Sequence, residues 1–230
     1  MTEPTEPAPH YHGHRQRLRD RLLAVGGDRM ADYELLELVL TLAIPRRDVK
    51  PLAKALIDQF GGFAEVIAAE KAALERVKGM GEVAVAALKI VDAAAVRLAR
   101  TAVADKPVIG SWNHLLDYCR ASMARAAVEQ FRVLFLDRKN RLIADEVQQT
   151  GTVDHTPVYP REIMKRALEL GASAVILVHN HPSGDPTPSR ADIEMTREIK
   201  TAAGALGISI HYHLVIGRKG HASFRSLGLL

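Results

Sequence analysis

At 230 residues with 47% hydrophobic content, the chain can bury the core of one large or two small domains. Its single cysteine, Cys119, excludes an internal disulfide, fits a reducing compartment and reads as a core residue. Thirty-one basic against 27 acidic residues leave a net charge of +4 with no polybasic block, so nucleic-acid binding would need a local patch rather than overall charge. No run of about eighteen uncharged apolar residues occurs. Met1–Pro9 carries acidic residues and prolines in place of a basic start and an apolar stretch. A soluble, cytoplasmic protein with no membrane partner is expected.

Residues 1–14 read as a polar, proline-containing, disordered tail. His10, His12 and His14 alternate within it, but without a flanking strand pattern a solvated tail is the better reading than a metal site. Arg15–Val25 predicts a helix with Arg15/Arg19 and Arg17/Arg21 at i, i+4 and with Leu18 and Leu22 on the apolar side. The four arginines suit either an ordinary solvated face or a phosphate-binding stripe. Tyr33–Ala43 predicts a buried helix through Leu35, Leu36, Val39 and Leu40, with Asp32 as its N-cap and Pro45 as its stop. Another helix starts at Val49 or Pro51 and ends at Phe60, before Gly61-Gly62. With no strand alternation up to about Arg100, residues 15–105 are expected to form an all-α domain of five or six short helices.

Within that domain, Gly79-Met80-Gly81 interrupts a helical pattern, and an alanine-rich helix follows to Arg100. The glycines allow a tight hairpin with backbone N–H groups exposed at the next helix start. Such groups can hold a phosphate without reading sequence, which makes Gly79 and Gly81 candidate nucleic-acid-binding residues. A corner serving packing alone has the same pattern, and Glu82 directly behind it would repel a phosphate.

Thr101–Pro107 reads as a linker, since periodicity is lost and Pro107 blocks continuation. In residues 106–230, Leu115–Ala127 predicts a helix. Phe131–Leu136 and Arg141–Gln149 predict a hairpin turned at Asp137–Asn140. Pro160–Leu170 predicts a helix closed by Gly171, and Ala174–Val178 a buried strand. A period of two then puts His179 and His181 on one face and Asn180 on the other. Pro182–Pro188 must be a loop. Ser189 has N-cap chemistry with Asp192 at N3, which gives that carboxylate a plain capping role as an alternative to metal ligation.

His179, His181 and Asp192 nevertheless form a three-residue ligand set with a fourth tetrahedral position left for water, the arrangement of a catalytic zinc site. Ile208–Ile216 predicts a last strand that carries a second His-x-His, His211 and His213. It lacks the loop and the downstream carboxylate, so those two histidines read as core residues or as supports of the metal ligands.

The pattern His179-x-His181-Pro182, six residues, Ser189, two residues, Asp192 resembles the JAMM motif of MPN-type metalloproteases. His179-Asn180-His181-Pro182-Ser183-Gly184 resembles the RadC branch (UPF0758). Gly151-Thr152, Pro160-Arg161-Glu162 and the ending from Leu206 through His213 to Gly217 share that likeness, as does much of the N-terminal half. Val77, Gly79, Met80 and Gly81 are similar to the core of a helix-hairpin-helix element of DNA-binding proteins.

The resemblance implies a cytidine-deaminase-like α/β fold, a mixed sheet flanked by helices, beside a separate N-terminal all-α domain. It implies Zn2+ as cofactor on His179, His181 and Asp192, and a glutamate upstream of the ligands as general base. Glu129, just before the first strand, matches that placement best; Glu146 and Glu162 are rivals. Ser189 would hydrogen-bond the substrate or the tetrahedral oxyanion. The expected activity is zinc-dependent hydrolysis of a peptide or isopeptide bond in a protein or peptide substrate. The family's DNA-repair label suggests an alternative, in which the helical domain binds DNA and the MPN domain is structural or a nuclease.

Overall fold

The computed structural model describes residues 13–104, 107–150 and 158–230. His10, His12 and Gly151-Thr152 lie outside the described residues. The chain divides into two compact units between Ala93 and Ala94, inside the helix α6 (Glu82–Ala104) and upstream of the boundary expected near residue 105. The reason is packing: Val96, Ala99 and Val103 of α6 belong to the core of the second unit.

The N-terminal unit is helical: α1 (His14–Val25), α2 (Asp32–Ala43), α3 (Lys50–Phe60), α4 (Phe63–Ala68), α5 (Lys71–Glu75) and the first half of α6. Leu36, Leu40, Leu52, Leu56, Val66, Leu74 and Leu88 fill its core, each contributing about 1.5–3 kcal/mol of apolar burial. Two expectations are corrected here. His14 is not part of a solvated tail; it opens α1 and meets the buried Glu37 at 2.8 Å. Asp32 does not cap its own helix, because Glu34 takes the free Ala31 N–H at 3.0 Å, while Asp32 Oδ2 accepts the Phe63 N–H at 2.8 Å and so caps α4. The arginines of α1 are also more than a solvated face. Arg15 donates to the carbonyls of Ile44, Pro45 and Arg47 beyond the end of α2, and Arg21 pairs with Glu34 at 2.7 Å.

The C-terminal unit holds α7 (Trp112–Met123), β1 (Gln130–Leu136), β2 (Leu142–Thr150), α8 (Pro160–Glu169), β3 (Ala174–Asn180), α9 (Arg190–Ala205), β4 (Ser209–Gly217) and β5 (Gly220–Ser223). The helix expected over 115–127 thus starts and ends earlier, and β5 is a strand that the sequence pattern did not reveal. The strands form one mixed sheet in the order β2-β1-β3-β4-β5, in which, among the described residues, only the β3–β4 pair is parallel. Alternation along the strands feeds two cores. Leu134, Ile176, Val178 and Leu214 face α7; Phe131, Val133, Val175 and Leu177 face α8 and α9. Every residue of β3 is buried, which is why it reads as a continuous apolar run. Cys119 lies in the α7 core, where burial pushes its thiol up to about 12 and leaves it protonated.

Candidate metal centre

His179 continues the series Val175, Leu177 on the α9 side of β3. The strand ends at Asn180, yet His181 stays in line because its N–H donates to the Ile216 carbonyl of β4 at 3.0 Å. The two imidazoles therefore fall on one side, with Nε2 atoms 3.1 Å apart. The loop after them folds back tightly on β4. A Cβ on Gly217 would stand 2.3 Å from the Gly184 carbonyl oxygen, so that crossing requires glycine.

α9 supplies the third group. Ser189 caps the helix: its Oγ accepts the Asp192 N–H at 3.2 Å, while Asp192 Oδ2 accepts the Ser189 N–H and the Ser189 hydroxyl, each at 2.7 Å. The same carboxylate reaches the histidines, with Oδ1 3.4 Å from His179 Nε2 and Oδ2 3.4 Å from His181 Nε2. The capping and ligating readings of Asp192 are thus compatible. Burial opposes its ionisation, but the two imidazoles and Ser189 outweigh burial and hold the carboxyl far below the usual carboxylate range. Asp192 in turn raises the proton affinity of His181 against burial, with smaller help from the Asp185 carbonyl and the charge of Glu129.

Hydrogen-bond partners settle which imidazole nitrogens carry protons. Thr196 Oγ1 lies 2.5 Å from the Asp192 carbonyl, which only accepts, so the threonine hydroxyl donates there. Its oxygen then accepts from His213 Nδ1 at 2.7 Å. Burial, with the neighbouring His179, holds His213 well below its ordinary value and therefore neutral, so its Nε2 is an acceptor and takes the Nδ1–H of His179 at 2.8 Å. His181 Nδ1 donates to the Asp185 carbonyl at 2.8 Å. In the neutral imidazoles both Nε2 atoms are left with lone pairs that face each other beside a carboxylate, an arrangement that calls for a cation. Donor separations of 3.1–3.4 Å match the edge of a tetrahedron with bonds of about 2.0–2.1 Å. Among the described residues His179, His181 and Asp192 are the cluster able to hold a metal ion. The donor set fits zinc.

The second His-x-His separates into two roles. His213 backs His179 and stacks on Phe224 at 4.3 Å, while Phe131 stacks on His179 at 6.2 Å. His211 instead meets Asn140 at 2.7 Å, at the β1–β2 turn. Thr196, which fixes the tautomer chain from the second turn of α9, escaped the sequence reading, since a lone helical threonine carries no spacing signal.

Of the candidate bases, Glu129 lies at the entry to β1, where its charge acts on His181. Glu146 sits on β2 and is held by Arg166 at 2.7 Å. Glu162 is in the exposed first turn of α8, paired with Arg161 at 3.2 Å. In the N-terminal unit, Gly79 takes φ +101 and the Arg47 guanidinium occupies the place of its missing Cβ, whereas Gly81 has open space around it. Val77 and Met80 of the same hairpin are buried in the helical core.

Residues 109–229 match the RadC-like JAB domain family, and residues 12–86 match the UPF0758 N-terminal family. A UPF0758 protein of Rhodobacter capsulatus is 64% identical over 213 residues, which span 93% of this chain and 100% of the relative. Both matched regions coincide with folded units seen here, and the candidate metal centre lies inside the second, so the chain belongs to the UPF0758 family and its C-terminal unit is a RadC-like JAB domain.

Proposed function

We propose that the chain is a zinc-dependent hydrolase that cleaves an amide bond, peptide or isopeptide, in a protein or peptide substrate. The observation that supports this most is the pair of Nε2 lone pairs beside the Asp192 carboxylate at tetrahedral-edge separations, three protein ligands with a fourth position for water. Zinc held there would supply Lewis acidity and make a water acidic enough to give up a proton near neutral pH. His213 and Thr196 keep the His179 lone pair aimed inward, and the Asp185 carbonyl does the same for His181. Glu129 takes the proton from the attacking water and delivers it to the leaving amine. Ser189 holds Asp192 in the ground state; its hydroxyl, turned from Oδ2 toward the substrate, is the donor for the developing oxyanion. Metal analysis of the native protein, with a panel of peptides and isopeptide-linked substrates and a Glu129→Gln control, tests the reading. Absence of zinc, or the same zinc content after His179→Ala, overturns it. Cleavage of plasmid DNA but no peptide would turn it into a nuclease.

A second reading, DNA contact by the helical unit, is favoured by Arg47, whose guanidinium lies against Gly79 and donates to its carbonyl at 3.4 Å. That places a cation at a hairpin whose next N–H groups open α6. A salt titration of duplex DNA binding by the full chain, repeated with Arg47→Ala, decides it; binding that ignores salt and the substitution removes this reading.

A further inference from the structure

Between the two histidines stands Asn180, fully buried and turned from the imidazoles toward β1. The β1–β3 pairing ends at Phe131 and His179. One residue further on, the Asn180 carboxamide continues it: Oδ1 accepts the Gln130 N–H at 2.9 Å and Nδ2 donates to the Val128 carbonyl at 3.1 Å. These two groups belong to the peptide planes on either side of Glu129. Holding both planes sets φ and ψ at Glu129 and therefore the direction of its Cα–Cβ bond. Asn180 is itself fixed from the other side, because its backbone pairs with Ile216 of β4. A carboxamide is the side chain of this reach that offers a donor and an acceptor in one plane; aspartate would turn an acceptor on the Val128 carbonyl, and alanine would offer neither.

We propose that Asn180 is the positioning residue for Glu129, so that one strand end carries two metal ligands on one face and aims the proton carrier from the other; this rests on the reading of Glu129 as that carrier. The test uses the full chain with zinc as the probe, in the parent, Asn180→Ala and the isosteric Asn180→Asp. Three readouts are followed: zinc content, amide exchange of Gln130 against Leu134 and Leu177, and the 13C shift of the Glu129 carboxyl on zinc addition.

The expected result is zinc content equal to the parent in both variants. Gln130 exchanges about tenfold faster in Asn180→Ala, the effect of one lost hydrogen bond on local opening, while Leu134 and Leu177 keep their protection. The Glu129 response to zinc falls by at least about half in both variants, since Asn180→Ala frees both planes and Asn180→Asp the one at Val128. On any peptide the parent cleaves, kcat falls and KM is retained. If Asn180→Ala does not fold, Asn180→Asp, which loses only the bond to Val128, carries the carboxyl readout. Parent-like Gln130 exchange in Asn180→Ala, or a parent-like Glu129 response in the variants, overturns the proposal. A parent whose Glu129 carboxyl ignores zinc sinks the proton-carrier reading and this proposal with it. A parent that cleaves no peptide, yet shows the exchange and carboxyl changes, leaves the positioning role standing and removes the hydrolase reading alone.

Discussion

The chemistry of the centre is decided by which nitrogen of each histidine is protonated, and that follows from groups able only to accept. The Asp192 and Asp185 carbonyls each force a proton outward and, in the neutral imidazoles, leave an inward lone pair. His179→Ala or Asp192→Ala is therefore expected to reduce zinc from about one per chain to background. Glu129→Gln should keep its zinc and lower hydrolysis about a hundred- to ten-thousand-fold; metal analysis and turnover on a cleaved peptide check the pair. His213 carries a pH signature in metal-free protein. Its folded-state value lies well below 6.5 because it is buried, so below pH 6.5 the unfolded chain binds a proton that the folded chain refuses. Stability is full above that pH and falls as pH drops, by up to about 1.4 kcal/mol per pH unit. His181, whose value is raised, works in the opposite sense, so the comparison must be between variants: chelator-treated His213→Gln should lose less stability between pH 6.5 and 5 than the parent, read by urea unfolding.

At the scale of elements, one capping box serves two ends. Ser189 starts α9 and also grips Asp192, so Ser189→Ala should cost about 1 kcal/mol of stability and weaken zinc binding about ten- to a hundredfold through a looser carboxylate. Denaturation and competitive chelation measure the two losses separately. The loop between β3 and α9 depends on its contact with β4. Gly217→Ala places a methyl against the Gly184 carbonyl, and because backbone must move rather than a flexible side chain, a loss of at least about 1–3 kcal/mol is expected, with zinc affinity falling alongside. Gly81→Ala, in open space at a hairpin that also contains the left-handed Gly79, should by contrast be tolerated, which thermal unfolding would show.

For the molecule as a whole, all three candidate ligands come from the C-terminal unit, and each unit has its own core. Zinc at about a hundred times its dissociation constant should add about 2.7 kcal/mol to that unit alone. Amides of β3 and α9 are expected to gain protection in hydrogen exchange, and those of Leu36 and Leu56 to stay unchanged. Among the described residues no helix is long and apolar enough to cross a membrane.

Local signals were enough to bring His179, His181 and Asp192 together as a candidate ligand triplet and to mark most elements. Strand alternation put His179 and His181 together, Pro182–Pro188 had to be a loop, Ser189 and Asp192 are neighbours on one helical turn, and the apolar periods marked the main helices and the strands from β1 to β4. The groups that tune the centre were hidden because they lie far apart in the chain: Thr196 on α9 and His213 on β4 meet only after the parallel crossover is made. Asp32 capping α4, and Glu146 drawn away by Arg166, are likewise results of packing, since hydrogen-bond partners are chosen by proximity in space. Sequence alone determined which residues can bind a metal; tertiary structure decided which nitrogen of each imidazole faces the other, what grips the backbone on either side of Glu129, and where the two units divide.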